Sequence, residues 1–357
     1  MGGHRKKKSR VLRLTSWGKA LLLFSGVILF AALTTGRNVI YLVFSLMVSF
    51  MLVSSVVATI SLHRLRFARL IPQHIFSGRP FVVQTTVTND KKLFSSFSLM
   101  VSNIFNQREL KGRYVPKLPA ESSVCVAHKY LIERRGRHTF HGIRVATTYP
   151  VELFLKGYVA TQPETIVVYP RIVKLNLHFL RDIISEIEDQ VNRPGLGTDL
   201  YGFRKYQNDD DSRFINWKLS AKTRDLVVTK YCREENLKVC VVFDNLLHRI
   251  DESSREKFES AVTLAASLCS FFIDRGYKVK LVSGDKGIPY GEGDEQLYEI
   301  LEHLALIEPK TGEEASTDFY SPGIMESGIG LLVYCEEKPR DIGNFSHVFD
   351  GAKTGGM

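Results

Sequence analysis

Asn38-Val39-Ile40-Tyr41-Leu42-Val43-Phe44-Ser45-Leu46-Met47-Val48-Ser49-Phe50-Met51-Leu52-Val53-Ser54-Ser55-Val56-Val57-Ala58-Thr59-Ile60-Ser61-Leu62 is a run of 25 residues without a charged side chain. The hydrocarbon core of a bilayer needs about 20 apolar residues of helix, so the run reads as a membrane-spanning helix. Just before it, residues 20–36 give a second uncharged stretch of 17. Trp17 and Lys19 extend that stretch, the ring resting at the interface and the ammonium snorkelling outward. Only Thr34-Thr35-Gly36-Arg37-Asn38 separates the two, and so short a link makes them an antiparallel hairpin, helices at about 17–36 and 38–62. Gly26, Ala31, Ala32, Ser45 and Ser49 are small enough to let the helices approach. A cleaved signal peptide also has a basic start and an apolar middle; the second stretch would still anchor the product.

Charge sets the expected orientation. Residues 1–19 carry Arg5, Lys6, Lys7, Lys8, Arg10, Arg13 and Lys19 and no acid, and Arg64, Arg66 and Arg69 follow the second helix. The link holds Arg37 alone, so the positive-inside rule puts both ends, a basic tail and a larger body, in the cytoplasm. A formal net charge of +10 invites a nucleic-acid reading, but residues 1–89 hold 12 Lys and Arg and no acid. The remaining 36 bases meet 38 acids, a net of −2, so the basic character is lipid-directed and no nucleic-acid partner is expected. Cys125, Cys232, Cys240, Cys269 and Cys335 stand singly, with no CxxC pair, and read as free thiols without structural zinc.

The body divides by periodicity. Residues 67–174 hold short alternating runs at 81–88, 96–104, 122–131, 137–145 and 165–169, punctuated by Gly and Pro, which predicts a small β-sandwich. From residue 175 the period becomes helical: Phe179, Ile183, Ile184, Ile187 and Val191 predict an amphipathic helix ended by Asn192-Arg193-Pro194-Gly195. A polar, Gly-containing segment follows to about residue 235. Strands at 237–243, 277–282 and 329–334 then alternate with helices at 258–273 and 295–306. That alternation predicts a doubly wound α/β domain over 236–343, with a loose tail at 344–357. Ligands of such sheets bind beyond the carboxyl ends of the strands, where Asp244 and Asp285 lie.

The most specific segment is Gly197-Thr198-Asp199-Leu200-Tyr201-Gly202-Phe203-Arg204-Lys205-Tyr206, continued by Asp209-Asp210-Asp211-Ser212-Arg213-Phe214-Ile215-Asn216-Trp217-Lys218 and Ser220-Ala221-Lys222-Thr223. It resembles the bacterial family catalogued as domain of unknown function 58, whose pattern is roughly G-x-x-x-x-G-x-R-x-Y, then G-D-x-x-R-x-I-x-W-x-x-S-A-R. Arg134-Arg135-Gly136-Arg137 and Tyr149-Pro150-Val151-Glu152-Leu153-Phe154 are similar to that family's R-R-G and P-F-G-L-F signatures. Three positions depart from it: Asp209 and Glu152 stand where the family has Gly, and Lys222 where it has Arg. The resemblance implies a double transmembrane start in the bacterial inner membrane and a C-terminal von Willebrand factor A-like domain. It also implies a MoxR-type AAA+ ATPase and other membrane or envelope proteins as partners.

Gly197, Gly202, Arg204, Tyr206, Asp210, Asp211, Arg213, Trp217, Ser220 and Lys222 therefore form the candidate motif. Two readings suit it: a hydrogen-bonded plate that pins an irregular loop with Trp217 buried, or a partner-docking surface with Trp217 exposed. No Cys, His or Ser–His pair lies in the motif to supply a nucleophile and its base, so no catalytic residue is assigned. The von Willebrand type of metal site is D-x-S-x-S; here Asp244-Asn245-Leu246-Leu247-His248 puts Leu246 and His248 at the hydroxyl positions. Asp244 and Asp285 are left as weak metal candidates, and no metal or other cofactor is expected. No phosphate-binding loop sequence occurs. The expected function is a membrane-anchored, non-enzymatic scaffold or adaptor. The alternatives are a metal-dependent hydrolase using Asp210 and Asp211, and a binder of lipid or cell-wall precursors.

Overall fold

Uncharged runs of this length satisfy every backbone group only as helix. The computed structural model has helix α1 at Ser16–Thr35 and helix α2 at Asn38–Leu62, both long and apolar enough to cross a membrane. Thr15 starts α1: its Oγ1 accepts a bond from the Gly18 N–H, 3.1 Å. Gly36 ends it in the left-handed conformation, φ 63°, with its N–H on the Ala32 carbonyl. The helices pack along small residues, and Ser25, Ala32, Ser54 and Ala58 are buried. Leu22, Leu23, Phe30, Leu42, Leu46, Leu52 and Val56 point outward and are exposed.

The structure describes residues 8–176, 180–181, 183–186, 194–207, 211–232, 238–284, 287–311, 329–336 and 345–351. They fall into two compact units, residues 1–168 and 169–357.

In the first unit the hairpin carries a β-sandwich. One sheet has the order β1-β10-β9-β5-β6, from Lys8–Leu14, Phe154–Tyr169, Gly136–Thr147, Ser96–Phe105 and Arg108–Glu109. β3 (Ile75–Phe76) adds to β10 and β7 (Arg113–Leu118) to β5. The other sheet is β2-β4-β8, from Leu65–Leu70, Pro80–Asn89 and Ser123–Leu131. Alternating side chains from the two sheets, among them Phe67, Val87, Val126, Leu99, Val101, Ile143 and Val145, meet in one core. Arg69 crosses it: buried, it donates to Asn103 Oδ1 (3.1 Å) on β5 and the Gly142 carbonyl (3.0 Å) on β9, stacks over Phe140, and ion-pairs Glu164. Burial lowers the Arg69 pKa, partly offset by Glu164. Arg69 therefore does not serve the lipid surface, as its place after the hairpin suggested.

The expected boundary near residue 67 is corrected in two ways. Residues 8–14, expected to be a basic tail, form β1 and pair antiparallel with β10 from Lys8↔Ala160 to Leu14↔Phe154. The end of α2 belongs to the sandwich core too, through Leu62 beside Leu65 and Phe67. A cut at residue 67 would strip β1 from β10 and take Leu62 and Leu65 from the core. Because β1 precedes α1 and pairs with a strand that follows α2, both flanks lie on one side of any bilayer the helices cross.

The second unit has a five-stranded sheet of order β16-β15-β13-β18-β19, from Gly287–Gly291, Lys278–Ser283, Lys238–Phe243, Ile329–Tyr334 and His347–Asp350. β13 runs parallel to β15 and β18, β18 to β19, and β16 is antiparallel. After Lys238, β13 is apolar and buried, because both its faces are covered. A two-residue ladder joins β14 (Leu246–Leu247) to β17 (Lys310–Thr311). Two strands of the five-stranded sheet were not expected: β16, and β19, which lies in the segment taken for a loose tail, whose residues 352–357 lie outside those described. Of the helix expected at 179–191, residues 180–181 and 183–186 are helical, and the others lie outside the described residues.

Three further helices are α3 (Trp217–Thr223), α4 (Glu252–Ile273) and α5 (Gly293–Leu306). α4 and α5 cover the same face of the sheet. Phe243 meets Phe258 of α4 at 5.8 Å, and Ser283, paired in register with Phe243, bonds His303 of α5 at 2.5 Å. On the opposite face Cys240, Val242 and Leu332 pack with Tyr290, Phe345 and Val348. Doubly wound packing, with helices on both faces, is thus not what the described residues show.

Candidate partner-docking site

The motif builds a ribbon and a turn. β11 (Pro194–Lys205) pairs antiparallel with β12 (Val227–Cys232), with register shifts between Gly195 and Leu200 and between Leu200 and Gly202. Such irregularities suit a segment rich in Gly. Gly197 lies in β11, and Gly202 has open space where a Cβ would stand. Between the strands, Asp211 caps a 3₁₀ turn at Ser212–Phe214, its Oδ1 accepting from the Arg213 N–H at 3.0 Å. Asn216 caps α3, its Oδ1 accepting from the Leu219 N–H at 3.0 Å.

Ser220 fastens the piece together. It is buried, and its Oγ accepts from the Val227 N–H at 2.9 Å, tying α3 to β12. The Asn216 N–H donates to the Val227 carbonyl, and the Tyr206 N–H to that of Leu226. Arg204 is half-buried and donates to the Lys205 carbonyl at 3.1 Å. Among the described residues, Arg213 and Lys222 stand apart from any shared plate. Arg213 lies 3.9 Å from Asp211 with both in solvent, Lys222 is exposed in the last turn of α3, and Asp210 lies outside the described residues.

Trp217 bears on the buried-plate reading. It is the first residue of α3 and 66 % exposed, so the buried-ring reading is corrected. Backbone bonds, Ser220 and the two caps hold the turn, and the indole takes no part in a core. Phe203 of β11 and Leu226, just before β12, are exposed too, in a segment whose exposed Lys205 pairs with Asp225 at 2.7 Å and whose Lys218, Lys222 and Arg224 are also exposed. Trp and Arg are the residue types that dominate interface energetics.

The carboxyl edge of the sheet is organised by polar bonds. Asp244, buried, accepts the Leu246 N–H at 3.0 Å through Oδ1, and its own N–H donates to the Val333 carbonyl. Asn245 Nδ2 donates to the Glu308 carbonyl, 3.0 Å, and the Lys310 N–H to the Asn245 carbonyl, 2.9 Å. Sequence reasoning missed Glu336, which no motif marks. Its carboxylate accepts from Ser254 Oγ (2.5 Å) and the His248 N–H (3.0 Å), with Lys257 at 3.8 Å. The Ser254 bond is the main cause holding Glu336 below the usual carboxylate range. Asp251 caps α4 through the Ser254 N–H, 2.7 Å. Leu246 supplies no ligand atom, and Asp285 lies outside the described residues. Among the described residues no three His, Cys, Asp or Glu side chains group closely enough to hold a metal ion.

Comparison with solved structures finds low likenesses. The CARDB domain of a Pyrococcus furiosus protein is 12% identical, covering 29% of this chain and 91% of that one, with a TM-score of 0.22. A variant of superoxide reductase (neelaredoxin) from Ignicoccus hospitalis is 13% identical over 29% of this chain and 78% of its own, TM-score 0.17. The sporulation control protein Spo0M of Bacillus subtilis is 8% identical over 40% of this chain and 58% of its own, TM-score 0.19. No curated protein matches the chain. Residues 202–321, which open on Gly202 and hold Arg204, Tyr206, Trp217, Ser220 and Lys222, match the family described as protein of unknown function DUF58.

Proposed function

We propose that this chain is a membrane-anchored, non-enzymatic scaffold or adaptor of the bacterial inner membrane, its body on the cytoplasmic side. In this reading the second unit is a von Willebrand factor A-like domain without its metal. The β11–β12 ribbon with α3 docks a partner protein, for which a MoxR-type AAA+ ATPase is the first candidate from the family resemblance. The observation that carries the reading is Trp217, 66 % exposed on a turn already held by Ser220 and the capping side chains. An indole kept in water contributes little to folding and has a large area to offer a partner.

Asp211, the described member of the hydrolase alternative, is engaged as a cap, so the docking reading is favoured. The test is in-membrane photocrosslinking of the full chain, with and without ATP, comparing wild type with Trp217→Ala. We expect the variant to melt within about 0.5 kcal/mol of wild type, as an exposed site should, and to lose a specific protein adduct. An unchanged adduct pattern, or a variant that unfolds, would sink the docking role of Trp217.

A further inference from the structure

The loop between β4 and β5 has the sequence Asp90-Lys91-Lys92-Leu93-Phe94-Ser95 and holds two opposed kinds of residue. Lys91 is 5 % exposed, and its ammonium donates to the Ser61 and His63 carbonyls at 3.1 and 3.0 Å and to Ser96 Oγ at 2.6 Å. It therefore caps the C-terminal end of α2. Ser61 Oγ exchanges bonds with the backbone of Phe97, 2.9 and 3.1 Å, and buried Asn89 donates to the Phe94 carbonyl, 3.1 Å. The loop is thus fixed to the last turn of α2 at both its ends. Its middle is the reverse: Leu93 is 86 % exposed, Phe94 57 % exposed, and Lys92 lies in solvent beside them.

Position gives those apolar side chains a use. The 25 residues of α2 rise about 37 Å against a hydrocarbon thickness of about 30 Å, so its last turn lies in the headgroup layer. Its outward apolar side chains continue through Val56 to Ile60, which sets the hydrocarbon edge close to that turn. A loop bonded to Ser61 and His63 stands at the same depth. Asp90, the acid within the loop, is paired with Arg66, which offsets its own repulsion of lipid phosphates; the exposed Glu121, whose N–H donates to the Lys91 carbonyl, is the other acid nearby.

We propose that Lys92-Leu93-Phe94 is a lipid-contact site of the sandwich: Leu93 and Phe94 enter the boundary between headgroups and acyl chains, and Lys92 meets the lipid phosphates. Apolar side chains flanked by a cation are the chemistry of interfacial anchoring. The site fixes the tilt of the sandwich against the bilayer, which the hairpin by itself does not. It rests on the reading that α1 and α2 span a membrane.

The test uses the full chain with Cys125→Ser and Cys232→Ser, in bilayers of phosphatidylcholine and phosphatidylglycerol. A polarity-sensitive fluorophore is placed singly by Leu93→Cys, Phe94→Cys, Leu131→Cys or Leu42→Cys. Leu131 pairs with Pro80 at the other end of β4, about 30 Å of strand away from Asn89. Leu42 faces outward from α2. We expect nitroxide lipids labelled near the headgroup to quench the Leu93 and Phe94 probes several-fold more than the Leu131 probe, with iodide in the opposite order. Leu93 behaving like Leu131 while the Leu42 probe is quenched by deep nitroxides would overturn the lipid contact and leave the hairpin standing. A Leu42 probe open to iodide would remove the hairpin reading and the proposal together. A Leu93 probe shielded from both quenchers would mean that protein covers the loop, and would also overturn it.

Discussion

Replacing Glu152 by Gly should stabilise the protein, although it deletes a whole side chain. Glu152 sits at φ 54°, in the left-handed region where a Cβ crowds the backbone. It is held there by its neighbours: its N–H donates to the Thr148 carbonyl at 2.8 Å, and its carbonyl accepts from Thr15 Oγ1 at the start of α1. The next carbonyl, that of Leu153, accepts the Thr15 N–H and leaves no room for a Cβ on Gly18, which would lie 2.2 Å from it. The side chain of Glu152 is exposed. A left-handed non-glycine residue costs about 1–2 kcal/mol, and glycine gives back about 0.5–1 kcal/mol in chain entropy, for a net gain of about 0.5–1 kcal/mol. For a unit of 168 residues that is about 1–3 °C in Tm. The assay is thermal melting of the full chain in one detergent, with Glu152→Ala alongside. Alanine keeps the strain and should melt near wild type. A fall in Tm with glycine, or an equal gain with alanine, would refute the conformational argument.

Ser220→Ala should cost about 1–3 kcal/mol, because the buried Val227 N–H loses its acceptor; a denaturant melt unchanged within error would show that the turn is held elsewhere. His128 is buried and its pKa is lowered from 6.5, by burial first and then by Arg113. The unfolded chain therefore binds the proton first, so stability is full above pH 6.5 and falls as pH drops below it toward the folded value. Melts between about pH 5 and 7 should show that slope, and His128→Phe should flatten it; an equal slope in both would assign it to other groups. Asp244→Ala should lower stability by about 1 kcal/mol through the Leu246 N–H, equally in Mg²⁺ and in EDTA. A Mg²⁺-dependent rise in Tm that vanishes in the variant would reveal a cation site.

Much of the architecture was legible because it rests on local periodicity. The uncharged runs fix both hairpin helices to within a residue or two, since length and hydropathy alone set them. The alternating runs at 81–88 and 96–104 appear as β4 and β5, and the apolar run at 237–243 as β13, because burial on one face or on two leaves its pattern in the chain. The motif told where the irregular segment lies, and the Gly expected at 152 marks a left-handed position that Glu now occupies.

What the sequence could not fix are the pairings made between distant parts. Seven residues read as a basic tail become β1 because they pair with β10, at least 140 positions later; hydrogen bonds between backbones carry no side-chain signature. Lys91 looks like one more surface cation until it is seen capping α2, and Glu336 is unmarked until Ser254 and His248 converge on it. Trp217 shows the limit most directly. Its composition and neighbours suit a buried plate and an exposed hot spot alike, and only packing shows that the turn closes around Ser220 and leaves the indole outside. Chemistry within a segment and its period are written in the sequence, whereas which surfaces remain uncovered depends on every other segment's place and is settled by the tertiary structure.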